Sequence, residues 1–190
     1  PAGVDFLVGH FKKLKQPQHI LVQELPPHPE SFIHLDMVFT FIDTSTCMIY
    51  EPVIMQPNRY RTVHIWIDNG QVVKINEEKN LPEALHALGM PLDLIQCGAS
   101  SDPWIQEREQ WHSGANFFAI APGKIIGYSR NINTLEELDR KGFAIIDATD
   151  VAVDKVDLTR YGKCVITIEG SELARGGGGC RCMTMPIRRR

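Results

Sequence analysis

The sequence predicts a mixed α/β fold in which strand pairs alternate with single helices. Three observations carry this. Asp68-Asn69-Gly70 separates two β-rich runs, and Asn-Gly supplies the positive φ angles of a tight hairpin turn. Two helices are marked at their ends, one by Asn80 with Pro82 and Glu83, the other by Asn133 with Glu136 and Gly142. Short β-forming runs recur on either side of these helices, so the chain reads neither as a pure βαβ series nor as a sandwich. The pattern suggests repeated mixed modules with their sheets facing a common centre, although no clean internal sequence repeat accompanies it.

Taken in order, Val4, Leu7, Val8 and Phe11 fall at helical spacing and predict an amphipathic helix over residues 3–15, ended by Pro17. Residues 19–25 follow as a strand, after which Pro26, Pro27 and Pro29 stiffen a loop. Residues 32–42 are the next predicted strand, joined through the polar turn Asp43-Thr44-Ser45 to residues 47–54. Residues 61–66 and 71–75 flank the Asn-Gly turn. The helix capped by Asn80 runs to Leu88, and residues 93–97 form a strand. Residues 117–120 and 125–128 pair around Ala121-Pro122-Gly123. The helix capped by Asn133 covers residues 134–141, with strands over 143–147 and 165–168 beyond it.

Composition narrows the class. The 190 residues are 43% hydrophobic and 23% charged, enough apolar side chain for a globular core. A net charge of -3 provides no basic field for nucleic acid. Arg188, Arg189 and Arg190 form the basic cluster of the chain and read as a solvated tail. No apolar run is long enough to cross a bilayer, and no secretory signal pattern is visible, so no membrane partner is expected. Cys47, Cys97, Cys164, Cys180 and Cys182 are odd in number and scattered, which argues against a disulfide framework and for a reducing, cytoplasmic setting. Pro1 opens the chain without an initiator Met, so further protein is expected before it.

Two segments could carry chemistry. The first is Arg175-Gly176-Gly177-Gly178-Gly179-Cys180-Arg181-Cys182-Met183. Four consecutive glycines suit either a flexible tail or a backbone that turns sharply against a ligand, and the apolar Met183, Met185, Pro186 and Ile187 beyond them favour the latter. Cys180 and Cys182 lack the second cysteine pair that a zinc site would need, whereas a thiol beside Arg181 and exposed amides can be held as thiolate. The second segment is His34-Leu35-Asp36, whose period-two spacing on a strand would point both polar side chains to one face. It suits a structural pair, or a general acid/base beside a substrate-binding carboxylate. In the polar loop from Trp111 to Gly123, Asn116 serves either as a turn residue or as an amide offered to a ligand.

Together these segments resemble arginine deiminase. The matching pieces are Phe32 to Thr40, Trp111 to Gly123, and Gly176 to Pro186 with its Cys-Met-Thr-Met-Pro ending, in the family's order. The resemblance spans nearly the whole chain and about the C-terminal half of a family member, so residues 1–190 are expected to be the C-terminal portion of a single catalytic domain. It implies part of a five-fold pseudosymmetric α/β propeller built of strand-strand-helix-strand modules. It also implies that Cys182 attacks a guanidinium carbon, that His34 acts as acid and then base, and that Asp36 grips guanidinium nitrogens, without metal or organic cofactor. Asp36, Asn116 and Arg175 become the substrate-binding residues for a small guanidine such as L-arginine.

The chain departs from the family pattern in three places. The family's further guanidinium-binding carboxylates, a glutamate among them, have no matching motif here. Gly177 stands where the family often has an arginine, and Ser113 where its tryptophan loop often has an aspartate. A non-catalytic domain that binds a guanidino ligand or a partner therefore stays open, as does a related amidinotransferase or a hydrolase of another guanidine. A partial propeller would expose sheet edges, so a complementary piece is expected: the rest of the same protein, another chain, or a second copy in a homo-oligomer.

Overall fold

The structure, a computed structural model, describes residues 2–55, 57–99, 102–185 and 187. Pro186 and the arginine cluster at 188–190 lie outside the described residues. The elements in chain order are α1 (Ala2–Phe11), β1 (Gln18–Gln23), β2 (Phe39–Phe41), β3 (Thr46–Ile49), α2 (Glu51–Ile54), β4 (Thr62–Asp68) and β5 (Gln71–Glu78). They continue with α3 (Leu81–Ala87), β6 (Asp93–Gln96), α4 (Pro103–Trp111), β7 (Phe118–Ala121), β8 (Lys124–Tyr128), α5 (Ile132–Arg140), β9 (Ala144–Asp147), α6 (Ala148–Ala152) and β10 (Cys164–Ile168). The mixed α/β class expected from the sequence is present, as several sheets with no closed barrel among the described residues.

The chain divides into two compact units. The first, residues 1–25 and 52–91, is built on the antiparallel sheet β1-β4-β5. Its hairpin turns at Asn69 and Gly70, whose φ angles of 50° and 78° are the positive pair that Asn-Gly predicted. Ile20, Ile65 and Ile67 alternate onto one face, where Val4, Val8 and Phe11 of α1 cover them. Asn80 caps α3 by accepting the Glu83 amide at 2.8 Å, and Pro82 sits in the first turn where its missing N–H costs nothing.

The second unit, residues 26–51 and 92–190, holds two sheets. In β2-β3-β6, the hairpin β2–β3 is antiparallel and β6 lies parallel to β3. In β7-β8-β10-β9, the hairpin β7–β8 is antiparallel, and β10 lies between β8 and β9, parallel to both. Met48, Ile95, Phe117, Ile125, Leu138 and Phe143 fill the core of this unit and are almost wholly buried. Cys97 belongs to that core, and burial pushes its thiol up to about 12; Cys47 is raised likewise. These two cysteines pack as small hydrophobes.

Several assignments change. The strand expected over 47–54 stops at Ile49, and Glu51–Ile54 is the helix α2. Helix α1 ends at Phe11 rather than near residue 15, and α6 was not anticipated. The helix expected over 134–141 begins two residues earlier, at Ile132, with Asn131 rather than Asn133 in the capping position. The sequence signal was displaced because the cap comes from elsewhere in the chain. The buried Glu109 accepts the amides of Asn133 (2.9 Å) and Thr134 (2.8 Å), together with the Asn133 side chain and the Thr134 hydroxyl. Helix α4, which carries Glu109, was not anticipated. Its signal was Asp102-Pro103: Asp102 Oδ1 accepts the Trp104 amide at 2.9 Å, with Pro103 in the first turn.

Candidate active site

The loop entering β2 carries His34 and Asp36, and it is not the strand that their period-two spacing predicted. After the three prolines the backbone makes two short 3-10 turns, Glu30–Phe32 and Leu35–Met37, and extended pairing starts only at Phe39. A buried side chain satisfies the backbone there in place of a ladder. Gln110 of α4 donates Nε2 to the carbonyls of Ser31 (2.7 Å) and Met37 (3.3 Å). His34 itself is extended, with φ -131° and ψ 153°, at the mouth of the second turn. Its side chain and that of Asp36 are therefore brought together by a turn rather than by a pleat.

The glycine run is a tight turn against packed neighbours rather than a tail, whereas Met183, Met185 and Ile187 beyond it, whose apolar character favoured packing, are exposed. Gly178 has φ +88°, and a Cβ there would lie 2.8 Å from Cys182 Cβ and 3.3 Å from its Sγ. A Cβ at Gly179 would stand 2.6 Å from Asn116 Oδ1 and 2.8 Å from Ser113 Cβ. Only glycine lets the backbone wrap the thiol and approach Asn116 this closely. The two cysteines beyond part company. Cys180 is buried beside Tyr128 and Ala174, and burial pushes its thiol up to about 12. Cys182 is exposed.

Three groups meet where these loops converge. One ligand-capable atom each from His34, Asp36 and Cys182 lies within 4.8 Å of the other two. The Cys182 thiol reaches Asp36 Oδ2 at 4.0 Å, across 146 positions of sequence. Arg181 Nε stands 3.6 Å from the same oxygen, so its guanidinium faces the carboxylate rather than supporting the sulfur alone. Asp36 Oδ1 is buried and has no hydrogen-bond partner. His34 and Cys182 line a cleft of about 570 Å³, with His28, Glu30, Trp111 and Arg175 among its other walls. Arg175 is exposed there and holds Glu172 at 2.8 Å.

Asn116 occupies a different place from the one foreseen. It is almost wholly buried and is not among the cleft-lining residues. Its Nδ2 donates to the Asp36 carbonyl at 3.1 Å, while Oδ1 accepts the amides of Arg181 at 3.0 Å and Cys182 at 3.4 Å. The amides that were expected to lie free near the thiol are thus engaged. One side chain ties the carboxylate loop to the thiol loop. Gln110 and Glu109, which sequence reasoning passed over, hold the two ends of the surrounding scaffold.

Fold and cluster together define a class: a mixed α/β protein whose loops bring a cysteine, a histidine and an aspartate together, with His34 and Cys182 lining a cleft and Asp36 set behind them. Comparison with known proteins narrows it. A family model for arginine deiminase matches residues 1–189. The arginine deiminase of Latilactobacillus sakei is 36% identical over 166 residues, which cover 86% of this chain and 36% of that protein. The chain belongs to the arginine deiminase family. It spans roughly a third of the length of this curated relative.

Proposed function

We propose that this chain carries the nucleophile-bearing part of an arginine deiminase active site, which converts L-arginine and water to citrulline and ammonia. The observation that supports this best is the convergence of Cys182, His34 and Asp36 within 4.8 Å from loops far apart in sequence. Cys182, as thiolate, attacks the guanidinium carbon while Asp36 accepts hydrogen bonds from guanidinium nitrogens and orients the plane. Protonated His34 gives its proton to the leaving nitrogen, and ammonia departs as the C–N bond breaks, leaving an amidino group on sulfur. Neutral His34 then takes a proton from water, whose oxygen attacks the same carbon. The C–S bond breaks, citrulline leaves, and the thiolate returns. Asp36 Oδ2, which faces the Cys182 thiol, is the oxygen placed to receive a guanidinium N–H.

Asn116 acts here by positioning both loops, and Arg175 stands on the cleft wall where a substrate carboxylate could pair with it. A guanidinium has five N–H groups, more than Asp36 can satisfy. We place the remaining carboxylates outside these 190 residues, in the rest of the same protein, in another chain, or in a second copy. The hairpin β7–β8, helix α5 and the parallel strands after it are compatible with the strand-strand-helix-strand module of a pseudosymmetric propeller.

One observation favours a second reading, a hydrolase of another guanidine: no side chain at Gly177 projects toward a substrate tail. A citrulline and ammonia assay on the full-length protein, with arginine beside agmatine, tests both. Cys182→Ser is expected to abolish turnover, and retained activity in that variant would refute the mechanism. Turnover of agmatine in preference to arginine would replace the substrate but keep the chemistry.

A further inference from the structure

We propose that His34, Asp36 and Cys182 also form a reversible zinc-binding site, and that zinc held there shuts the guanidinium out of the cleft. Binding needs only the cluster; inhibition rests on the function proposed above.

The donor set is one thiol, one imidazole and one carboxylate, three protein ligands of the kinds zinc takes when a water fills the fourth position. Zinc–ligand bonds of about 2.0–2.3 Å set tetrahedral ligand atoms roughly 3.3–3.6 Å apart. The donors here lie within 4.8 Å of one another, and Sγ is 4.0 Å from Oδ2. Closing on a zinc ion therefore moves each donor by no more than about 1 Å. His34 and Cys182 are exposed side chains, so rotamer adjustment suffices, and the cleft of about 570 Å³ leaves room for the water. Calcium and magnesium prefer sets made of oxygen alone and fit this one poorly.

The two oxygens of Asp36 differ in access. Arg181 stands at Oδ2, but Oδ1 is buried with no hydrogen-bond partner. The oxygen that faces the thiol is Oδ2, so zinc would take the place of the Arg181 contact there, and the half-exposed Arg181 side chain is free to swing into solvent. Cys180 and Cys182 lack the second cysteine pair of a structural zinc site. The fold separates those two and gives Cys182 different partners. Bond making balances simply: zinc replaces the thiol proton, and a proton on His34 if one is present, with no change of oxidation state. Binding therefore releases protons and strengthens as pH rises.

The test is calorimetric titration of zinc into metal-free, full-length protein, in buffers of different ionisation enthalpy, with cobalt as a coloured substitute. One zinc per chain, proton release and a sulfur-to-cobalt charge-transfer band are expected. Cys182→Ser should weaken binding more than roughly 100-fold, beyond what loss of an outer-shell partner costs. Wild-type protein alkylated by iodoacetamide should bind equally poorly, which covers the case of a variant that misfolds. Arginine should compete with zinc. Zinc affinity unchanged by alkylation, or absent from the untreated protein, would overturn the site. Protein that binds zinc through Cys182 but makes no citrulline in chelator would retain the site and lose the proposed function.

Discussion

Asn116 offers the sharpest test of how the site is assembled. Asn116→Ala removes one donor and one shared acceptor, and so leaves the Asp36 carbonyl and the amides of Arg181 and Cys182 without this partner. Each bond is worth about 1 kcal/mol net, and more where water cannot replace it. The Arg181 side chain is half exposed and Cys182 is exposed, so water can reach part of their loop. A loss of about 3 kcal/mol in holding the two loops together is therefore reasonable. If that free energy separates aligned from misaligned arrangements, turnover falls roughly 100-fold. The assay is steady-state citrulline formation by the full-length protein, read beside iodoacetamide labelling. We expect kcat to fall far more than KM changes, while Cys182 remains accessible and still labels. A kcat within threefold of wild type would refute the tie, and a fall in kcat/KM that comes from KM alone would mean that Asn116 touches substrate instead.

Iodoacetamide near neutral pH should modify Cys182 and spare Cys47, Cys97 and Cys180, whose thiols burial raises to about 12; comparable rates by peptide mapping would contradict that separation. Glu109→Gln should destabilise the fold by about 2–3 kcal/mol in urea, because the buried carboxylate accepts four hydrogen bonds at the start of α5 and an amide can accept through one oxygen only. Asp43 is held below the usual carboxylate range, first by the Ser45 amide. Its stabilising effect is thus complete above the unfolded value of about 3.9 and lost as pH falls through the lower folded value; Asp43→Asn should flatten the acid limb of a melting-temperature profile. Gly179→Ala should cost about 1–3 kcal/mol by overpacking against Asn116 and Ser113, measured by denaturation and by lost turnover.

The fold was legible wherever a local signal sufficed. The Asn69-Gly70 turn, the Asn80 cap and the hairpins β2–β3 and β7–β8 all follow from residues adjacent in sequence. It was not legible where a distant side chain replaced the local one. Glu109 caps α5 from another helix, so Asn133 looked like the cap when it is the second helical residue. Gln110 satisfies the carbonyls around His34, so an alternating run of β-formers became a pair of turns. The cluster itself was partly readable. Cys182, His34 and Asp36 stood out by type, but their meeting depends on Asn116, whose three bonds cross 65 to 80 positions and leave no local trace. The Arg181 side chain, beside the cysteine in sequence, turns to Asp36, which adjacency alone could not foretell.

The four glycines are not equivalent ground for change. Gly178 and Gly179 are hemmed in by the thiol and by Asn116, and Gly177 sits at φ +79°, where a side chain strains the backbone. Gly176 has neither a positive φ nor any atom within 4 Å of a would-be Cβ, yet it lines the cleft. A lineage drifting toward a new substrate can therefore vary this one position without disturbing the nucleophile. Ligand preference and reactivity can then evolve separately within three residues of backbone.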